Sequence, residues 1–216
     1  MEKFMQANKT NLYDLDHESL ISFLAQKDIK KFHADQIIKW LHRHFVKDFD
    51  QMTDLSKSLR DYLKENTILK LPQIALEKSS SDGTIKWMMR LDDDSHNMIE
   101  TVFIPEENRG TLCVSSQVGC MLTCPFCSTG TQGFNRNLKT SEIIGQLRLA
   151  AERLLVLNKR NNTNQRITNI VMMGMGEPLL NFEPVVSSMS LMLNDLAYGL
   201  SRRKVTLSTS GVVPEI

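Results

Sequence analysis

The order of hydrophobic patterns along the chain predicts an α/β protein, in which a small N-terminal helical domain and a β-meander precede the first half of a barrel of alternating strands and helices. Three observations predict it. Apolar residues recur at helical spacing up to residue 66, they alternate between 73 and 105, and strand-like and helix-like runs take turns after Gly110. The implied division is residues 1–70 (helical domain), 71–105 (meander linker) and 106–216 (strand–helix domain).

The spacing predicts helices over 17–26, 34–46 and 54–66, with Asp16 and Thr53 as N-caps. In the meander, Ile85, Trp87, Met89 and Leu91 point one way and Lys86, Met88 and Arg90 the other. Ser81-Asp82-Gly83 and Asp92-Asp93-Asp94-Ser95 supply the turns. Beyond Gly110 the predicted order is a strand over 111–118, a cysteine-bearing loop, a helix over about 141–157, and a polar loop over 158–166. A strand over 167–173, a glycine-rich loop, a helix over about 183–196 and a strand over 204–210 follow. Only three strands of the barrel are counted before the chain stops at Ile216.

Charge and composition narrow the classes. With 216 residues and 41% hydrophobic content, the chain can bury one core and a small accessory domain. No apolar run approaches the roughly 20 residues that span a bilayer, and residues 1–16 have no apolar signal-peptide core. The expectation is a soluble cytoplasmic protein without a membrane partner. Twenty-six basic against 25 acidic residues announce no nucleic-acid partner in bulk. Lys27, Lys30, Lys31, Lys39, Arg43 and Lys47 nevertheless form a local basic patch with His33, His42 and His44 interleaved.

All four cysteines fall between Cys113 and Cys127. In a reducing compartment such clustering points to metal binding or catalysis rather than structural disulfides. Cys120, Cys124 and Cys127 sit within eight residues just after a predicted strand, so one loop can wrap a single iron–sulfur cube. Such clusters are usually held by four thiolates; three leave one iron open to a cofactor. The rival reading is a structural zinc with Cys113 as fourth ligand. Against it, only Cys124 and Cys127 have the short pair spacing of zinc ribbons, and Cys113 falls inside an extended run.

The run Ile170-Val-Met-Met173 leads into Gly174-Met175-Gly176-Glu177-Pro178. Its glycines permit positive φ and close approach of a ligand to the backbone, and ligands of α/β folds bind at the C-terminal ends of such strands. Glu177, stiffened by Pro178, is positioned to accept hydrogen bonds from an ammonium group; the alternative is a tight turn before a helix. In the last strand, Thr206 and Ser208 lie on one side, and Ser208 is the better candidate for a polar contact in a barrel mouth.

These residues resemble the radical S-adenosylmethionine superfamily through C-x3-C-x2-C with an aromatic before the last cysteine. More narrowly they resemble the RlmN family of RNA adenine-C2 methyltransferases. The narrower match runs through Ser81-Asp-Gly-Thr-Ile-Lys-Trp87, Glu100-Thr-Val-Phe-Ile-Pro105, Leu112-Cys-Val-Ser-Ser-Gln-Val-Gly-Cys120 and Gly133-Phe-Asn-Arg-Asn-Leu138. It continues through Ser141-Glu-Ile-Ile-Gly-Gln146, Met172-Met-Gly-Met-Gly-Glu-Pro-Leu-Leu-Asn181 and Val205-Thr-Leu-Ser-Thr-Ser-Gly-Val-Val-Pro214.

The resemblance implies a helical RNA-binding domain followed by a partial (β/α)6 barrel. It implies that Cys120, Cys124 and Cys127 ligate a [4Fe-4S] cluster and that Gly176, Glu177 and Ser208 contact S-adenosyl-L-methionine. In such enzymes one cofactor molecule methylates a cysteine near the C-terminus, and a second is reductively cleaved so that the methyl carbon adds to carbon 2 of an adenine. The implied substrates are large-subunit rRNA and, for dual-specificity members, tRNA. The implied electron donor is a protein such as flavodoxin. Carbon 2 of adenine is poorly nucleophilic, so polar methyl transfer fails and a cofactor must supply radical reactivity. Release of the adduct needs a proton removed and a second thiol to displace the enzyme sulfur, which forms a disulfide bond; the resemblance gives these roles to Glu100 and Cys113. A free thiol seven residues before the cluster loop also suits thiol chemistry in its own right.

Members of this family are much longer. The expectation is a truncation after the third barrel strand, with no counterpart for the methyl-carrying cysteine. Two other readings stand beside the leading one: an RNA-binding module without catalysis that uses the 27–47 patch, and a related methyltransferase that targets carbon 8 of the adenine.

Overall fold

The computed structural model describes residues 9–93, 95–212 and 214. Asp94 of the second expected turn and Val213 of the last motif lie outside the described residues, as do residues 1–8, 215 and 216.

The short strand β1 (Thr10–Asn11) runs parallel to β2 (Thr67–Ile68), and between them come the helices α1 (His17–Ala25), α2 (Phe32–His42) and α3 (Lys57–Asn66). Leu20 and Leu24 of α1, Ala34, Ile37, Ile38 and Leu41 of α2, and Leu59 and Leu63 of α3 turn inward, as their helical spacing requires. Asp16 caps α1 by accepting the Ser19 N–H at 2.9 Å. The cap of α3 is Ser56 rather than Thr53: its hydroxyl accepts the Leu59 N–H, while the preceding Asp54 is drawn off by the Trp40 indole N–H. α2 stops at His42, short of the predicted Val46, because the chain reverses at Phe45 (φ 57°), whose carbonyl is taken by Arg148.

The meander comprises β3 (Gln73–Ser79), β4 (Ile85–Arg90) and β5 (Met98–Pro105). It does more than connect. β5 pairs antiparallel with β6 (Gly110–Cys113), so the meander and the strand–helix region share one six-stranded sheet. β6 then pairs in parallel with β9 (Asn169–Met172), and β9 with β10 (Val205–Leu207). The register aligns Ile85, Phe103, Leu112, Ile170 and Val205 across five strands, and all five are buried. That face packs under α4 (Thr140–Asn161) and α5 (Phe182–Leu193), through residues such as Ile143, Leu147, Val185 and Leu191. The neighbouring row of Lys86, Val102, Cys113, Val171 and Thr206 necessarily faces the other way, since strand side chains alternate.

The predicted single strand over 111–118 is broken. After Cys113 the chain turns at Val114–Ser116 and resumes as β7 (Gln117–Gly119), which pairs with an unpredicted strand β8 (Phe134–Asn137). The break has a polar cause. The buried Gln146 side chain of α4 takes both the N–H and the carbonyl of Ser115, at 2.8 and 2.9 Å, in place of a neighbouring strand. α4 outlasts its predicted end at 157 and closes at Asn162 in the left-handed conformation (φ 52°). Among the described residues no helix is long and apolar enough to cross a membrane.

Candidate active site

Cys120 to Gly133 form an excursion whose neck is the β7–β8 pair, closed by the Cys120 N–H on the Gly133 carbonyl at 3.1 Å. The neck is tied down from outside. Arg136 in β8 binds Asp93 of the β4–β5 turn and both carboxylate oxygens of Glu142 in α4. Such a bidentate clamp fixes orientation as well as distance. Asp93 is pushed up by burial, but hydrogen bonds from Asn97 and Arg136 outweigh this and bring its pKa down to about 2.

The excursion is built from turns at Cys124–Cys127 and Cys127–Gly130 and a short 3-10 turn at Gly130–Gln132. The Gly130 N–H holds the Cys127 thiol below its ordinary pKa; burial opposes the shift and Thr129 adds to it, so this sulfur gives up its proton more readily than an ordinary thiol. Phe126, which precedes it, stands 90% exposed.

All four cysteines are free, so the disulfide bond expected from the resemblance is not formed. Cys113 is fixed in β6 between Val102 and Val171, whereas the other three lie beyond β7 in the excursion. The same separation argues against a zinc site that includes Cys113. Among the described residues no three of His, Cys, Asp and Glu come together as a group able to hold a metal ion. A mononuclear zinc needs its thiolates at about 2.3 Å from one centre; a four-iron cube is a larger object and takes more widely spaced sulfurs. Three free thiols on one loop, one with a depressed pKa, fit a cluster by the chemistry of the donor set.

Gly174 to Pro178 leave the end of β9 and lie on the Val114–Gln117 corner. A Cβ on Gly174 would stand 2.7 Å from the Val114 carbonyl oxygen, and one on Gly176 (φ +100°) 2.5 Å from the Gln117 Cβ. These glycines are required by the approach of the two backbones to each other. Glu177 is buried, and its carboxylate accepts the Leu179 N–H at 3.2 Å and the Ser210 N–H and hydroxyl at 2.8 and 3.0 Å. Burial alone would raise its pKa; these donors and the Thr209 hydroxyl outweigh burial and hold it below the usual carboxylate range. Ser208 is exposed just past the end of β10, and the residue that reaches Glu177 is Ser210.

Glu100 and Cys113 share the sheet face that α4 and α5 leave uncovered. Cys113 is opposite Val102, so Glu100 is its diagonal neighbour, a separation of about 7–8 Å in a regular sheet. Glu100 pairs with Lys86 at 2.9 Å, and its backbone carbonyl accepts the Ser115 hydroxyl at 2.7 Å. Burial raises the Cys113 thiol, against a hydrogen bond from the Met173 N–H. In the folded chain Cys113 is therefore a thiol rather than a thiolate.

Sequence reasoning missed the polar side chains that hold these parts together: Gln117, Gln146 and Asn181. Asn181 donates to the carbonyls of Ser116 and Leu138 at 2.8 Å each. The available signal was an amide in an apolar context, since a buried amide is tolerated only when its hydrogen bonds are made.

Residues 10–69 match the family described as ribosomal RNA large subunit methyltransferase N-terminal domain. The protein named dual-specificity RNA methyltransferase RlmN from Francisella tularensis subsp. novicida is 57% identical over 212 residues, which cover 98% of this chain and 56% of that protein. Its counterpart in Francisella tularensis subsp. holarctica (strain LVS) is 56% identical with the same coverage. Among solved structures, a radical SAM methyltransferase from Sphaerobacter thermophilus superposes with a TM-score of 0.81 at 37% identity, over 95% of this chain and 58% of that one. The chain thus spans about half the length of the curated relatives it matches. Over those 212 residues the chain is similar throughout to proteins named dual-specificity RNA methyltransferase RlmN, on the α/β framework of a radical SAM methyltransferase.

Proposed function

We propose that this chain carries the cofactor-binding part of a cytoplasmic radical SAM methyltransferase that modifies carbon 2 of an adenine in large-subunit rRNA and in tRNA by way of a methyl-cysteine. The observation that carries the reading is the pairing of two loops. Three free cysteines on the Cys120–Gly133 excursion stand beside the Gly174–Pro178 loop, and both are anchored to the β6–β7 corner. In this reading Cys120, Cys124 and Cys127 hold a [4Fe-4S] cluster, and Gly176, Glu177 and Ser208 bind S-adenosyl-L-methionine. When bound, these groups supply one-electron bond cleavage that side chains cannot.

The chain's own residues orient and exclude. Glu177, kept ionised by its donors, presents a fixed negative charge to an ammonium group. Glu100 and Cys113, side by side on the uncovered face, hold a carboxylate and a thiol where a proton is to be removed and a sulfur displaced; Cys113 must lose its own proton first. None of the four cysteines is assigned the methyl-carrying role. Residues 1–70 serve as the RNA-binding accessory domain, 71–105 as the meander that leads from it, and 106–216 as the cofactor domain. Lys27, Lys30, Lys31 and Lys39 are exposed on the segment that carries the tilted ring pairs Phe32–His33 and Trp40–His44, a surface suited to phosphates and unstacked bases. A donor such as flavodoxin provides the electron.

Anaerobic reconstitution with iron and sulfide tests the reading. The expected product is a brown, oxygen-sensitive protein whose colour is lost in Cys120→Ala, Cys124→Ala and Cys127→Ala and retained in Cys113→Ala. A colourless protein that binds one zinc through its thiolates would overturn it.

A further inference from the structure

At the corner where β6 hands the chain to β7, backbone bonds already join the two loops. The Ser116 and Gln117 N–H groups both donate to the Met175 carbonyl, at 2.8 and 3.1 Å, and the Ser115 hydroxyl accepts the Met175 N–H at 2.9 Å. The Gln117 side chain makes a different connection. Its Oε1 accepts the N–H of Met121, the first residue after Cys120, at 3.3 Å and the N–H of Glu177 at 3.0 Å. Its Nε2 donates to Asn137 Oδ1 in β8 at 2.8 Å. One buried oxygen atom therefore touches the cysteine loop and the glutamate loop at once. Gly176 closes the arrangement from the other side, because only a residue without a Cβ fits against Gln117 there.

We infer that Gln117 is a positioning residue that locks the cysteine loop and the Glu177 loop into one register, so that occupancy of either loop is felt by the other. The identity of the occupants rests on the function proposed above; the link between the loops does not. A displacement of Met121 that withdraws its N–H alters the acceptor on which the Glu177 N–H depends, and the reverse holds equally, as linkage requires.

Residue-resolved amide exchange on this chain is the test, with and without reconstituted iron. In the unloaded protein, Gln117→Met should release the Met121 and Glu177 amides together by roughly tenfold or more, as expected for loss of a buried hydrogen bond. The Ser116 and Gln117 amides, held by Met175, stay protected. Gln117→Glu, which keeps an acceptor oxygen, should keep both protected. Leu41→Ala, a destabilising change in the helical segment, should speed exchange generally without singling out this pair. In the iron-loaded wild type, S-adenosylmethionine should slow the Met121 amide as well as that of Glu177 and perturb the EPR signal of the reduced cluster. In Gln117→Met the iron is retained, affinity falls roughly tenfold, and the effect at Met121 disappears. Gln117→Asn, whose amide is withdrawn by one methylene, serves the same purpose if the methionine variant does not fold. Unchanged exchange at either amide in the unloaded variant, or a surviving effect at Met121 in the loaded one, overturns the inference. A wild type that takes up no iron refutes the proposed function, and the unloaded arm still decides the link.

Discussion

Acidification from about pH 7.5 to about pH 5.5 should destabilise the folded chain through His42, which charges in the unfolded state and stays neutral in the folded one. His42 is 1% exposed, packed edge-on against Tyr13 and Tyr198, with Nδ1 3.2 Å from the Tyr198 hydroxyl. Burial, and secondly the Arg148 charge, lower its pKa from 6.5 to about 3. A histidine whose folded pKa is depressed contributes stability that is fully present above about pH 6.5, is lost progressively as pH falls below that value, and stops falling near pH 3. Over the two pH units named, differential protonation integrates to about 1.4 kcal/mol, or roughly 3–6 °C in Tm for a chain of this size. The window lies above the carboxylate range, and a His42 variant that keeps the chain's other four histidines isolates the contribution of His42. Urea denaturation of the wild type and of His42→Phe at both pH values gives the difference directly. An equal pH response in the two proteins, or a difference below about 0.4 kcal/mol, would refute the assignment of a neutral, buried His42.

Two further changes probe the framework of the site. Arg148 is 1% exposed, lies 4.0 Å over the Phe45 ring and donates to the Phe45 carbonyl at 2.6 Å. Arg148→Met should therefore cost about 2–4 kcal/mol by urea denaturation with an unchanged m-value, and a loss below about 1 kcal/mol would contradict the pinning role. Gly176→Ala places a methyl group 2.5 Å from Gln117 Cβ at a φ of +100°. It should cost more than about 2 kcal/mol and speed exchange in the Gly174–Pro178 loop, whereas a neutral effect would mean that the corner is looser than drawn.

Periodicity made the sheet legible. The alternation of Ile85, Trp87 and Met89 is the buried face, and Asp16 is the cap that its position announced. What periodicity could not convey is a choice between equivalent local signals. The spacing puts the cap at Thr53, yet Ser56 has the same capping chemistry three residues on, and the hydrogen bond from Trp40 to Asp54, a tertiary contact, favours the later start. Ser208 and Ser210 both read as strand hydroxyls, but β10 ends at Leu207, alternation ceases, and Ser210 is the one that turns to Glu177. The strand break at Ser115 follows from Gln146, thirty-one residues away, and nothing local encodes that partnership.

The same distinction explains the character of the site. Apolar burial is non-directional and can bring α4 and α5 onto the sheet, but it cannot set two loops in a fixed register. Around the β6–β7 corner that task falls to amides and hydroxyls with defined geometry: Gln117, Gln146, Asn181 and Ser115. Glu177 shows the consequence. A carboxylate as buried as this one would ordinarily favour its neutral form. The Ser210 and Leu179 N–H groups and the Thr209 and Ser210 hydroxyls instead keep it ionised. Two of those residues follow β10, so the charge at the end of β9 depends on the chain that pairs beside it. Loss of the β9–β10 register would both move Glu177 and raise its pKa, which ties the electrostatics of the loop to the integrity of the sheet.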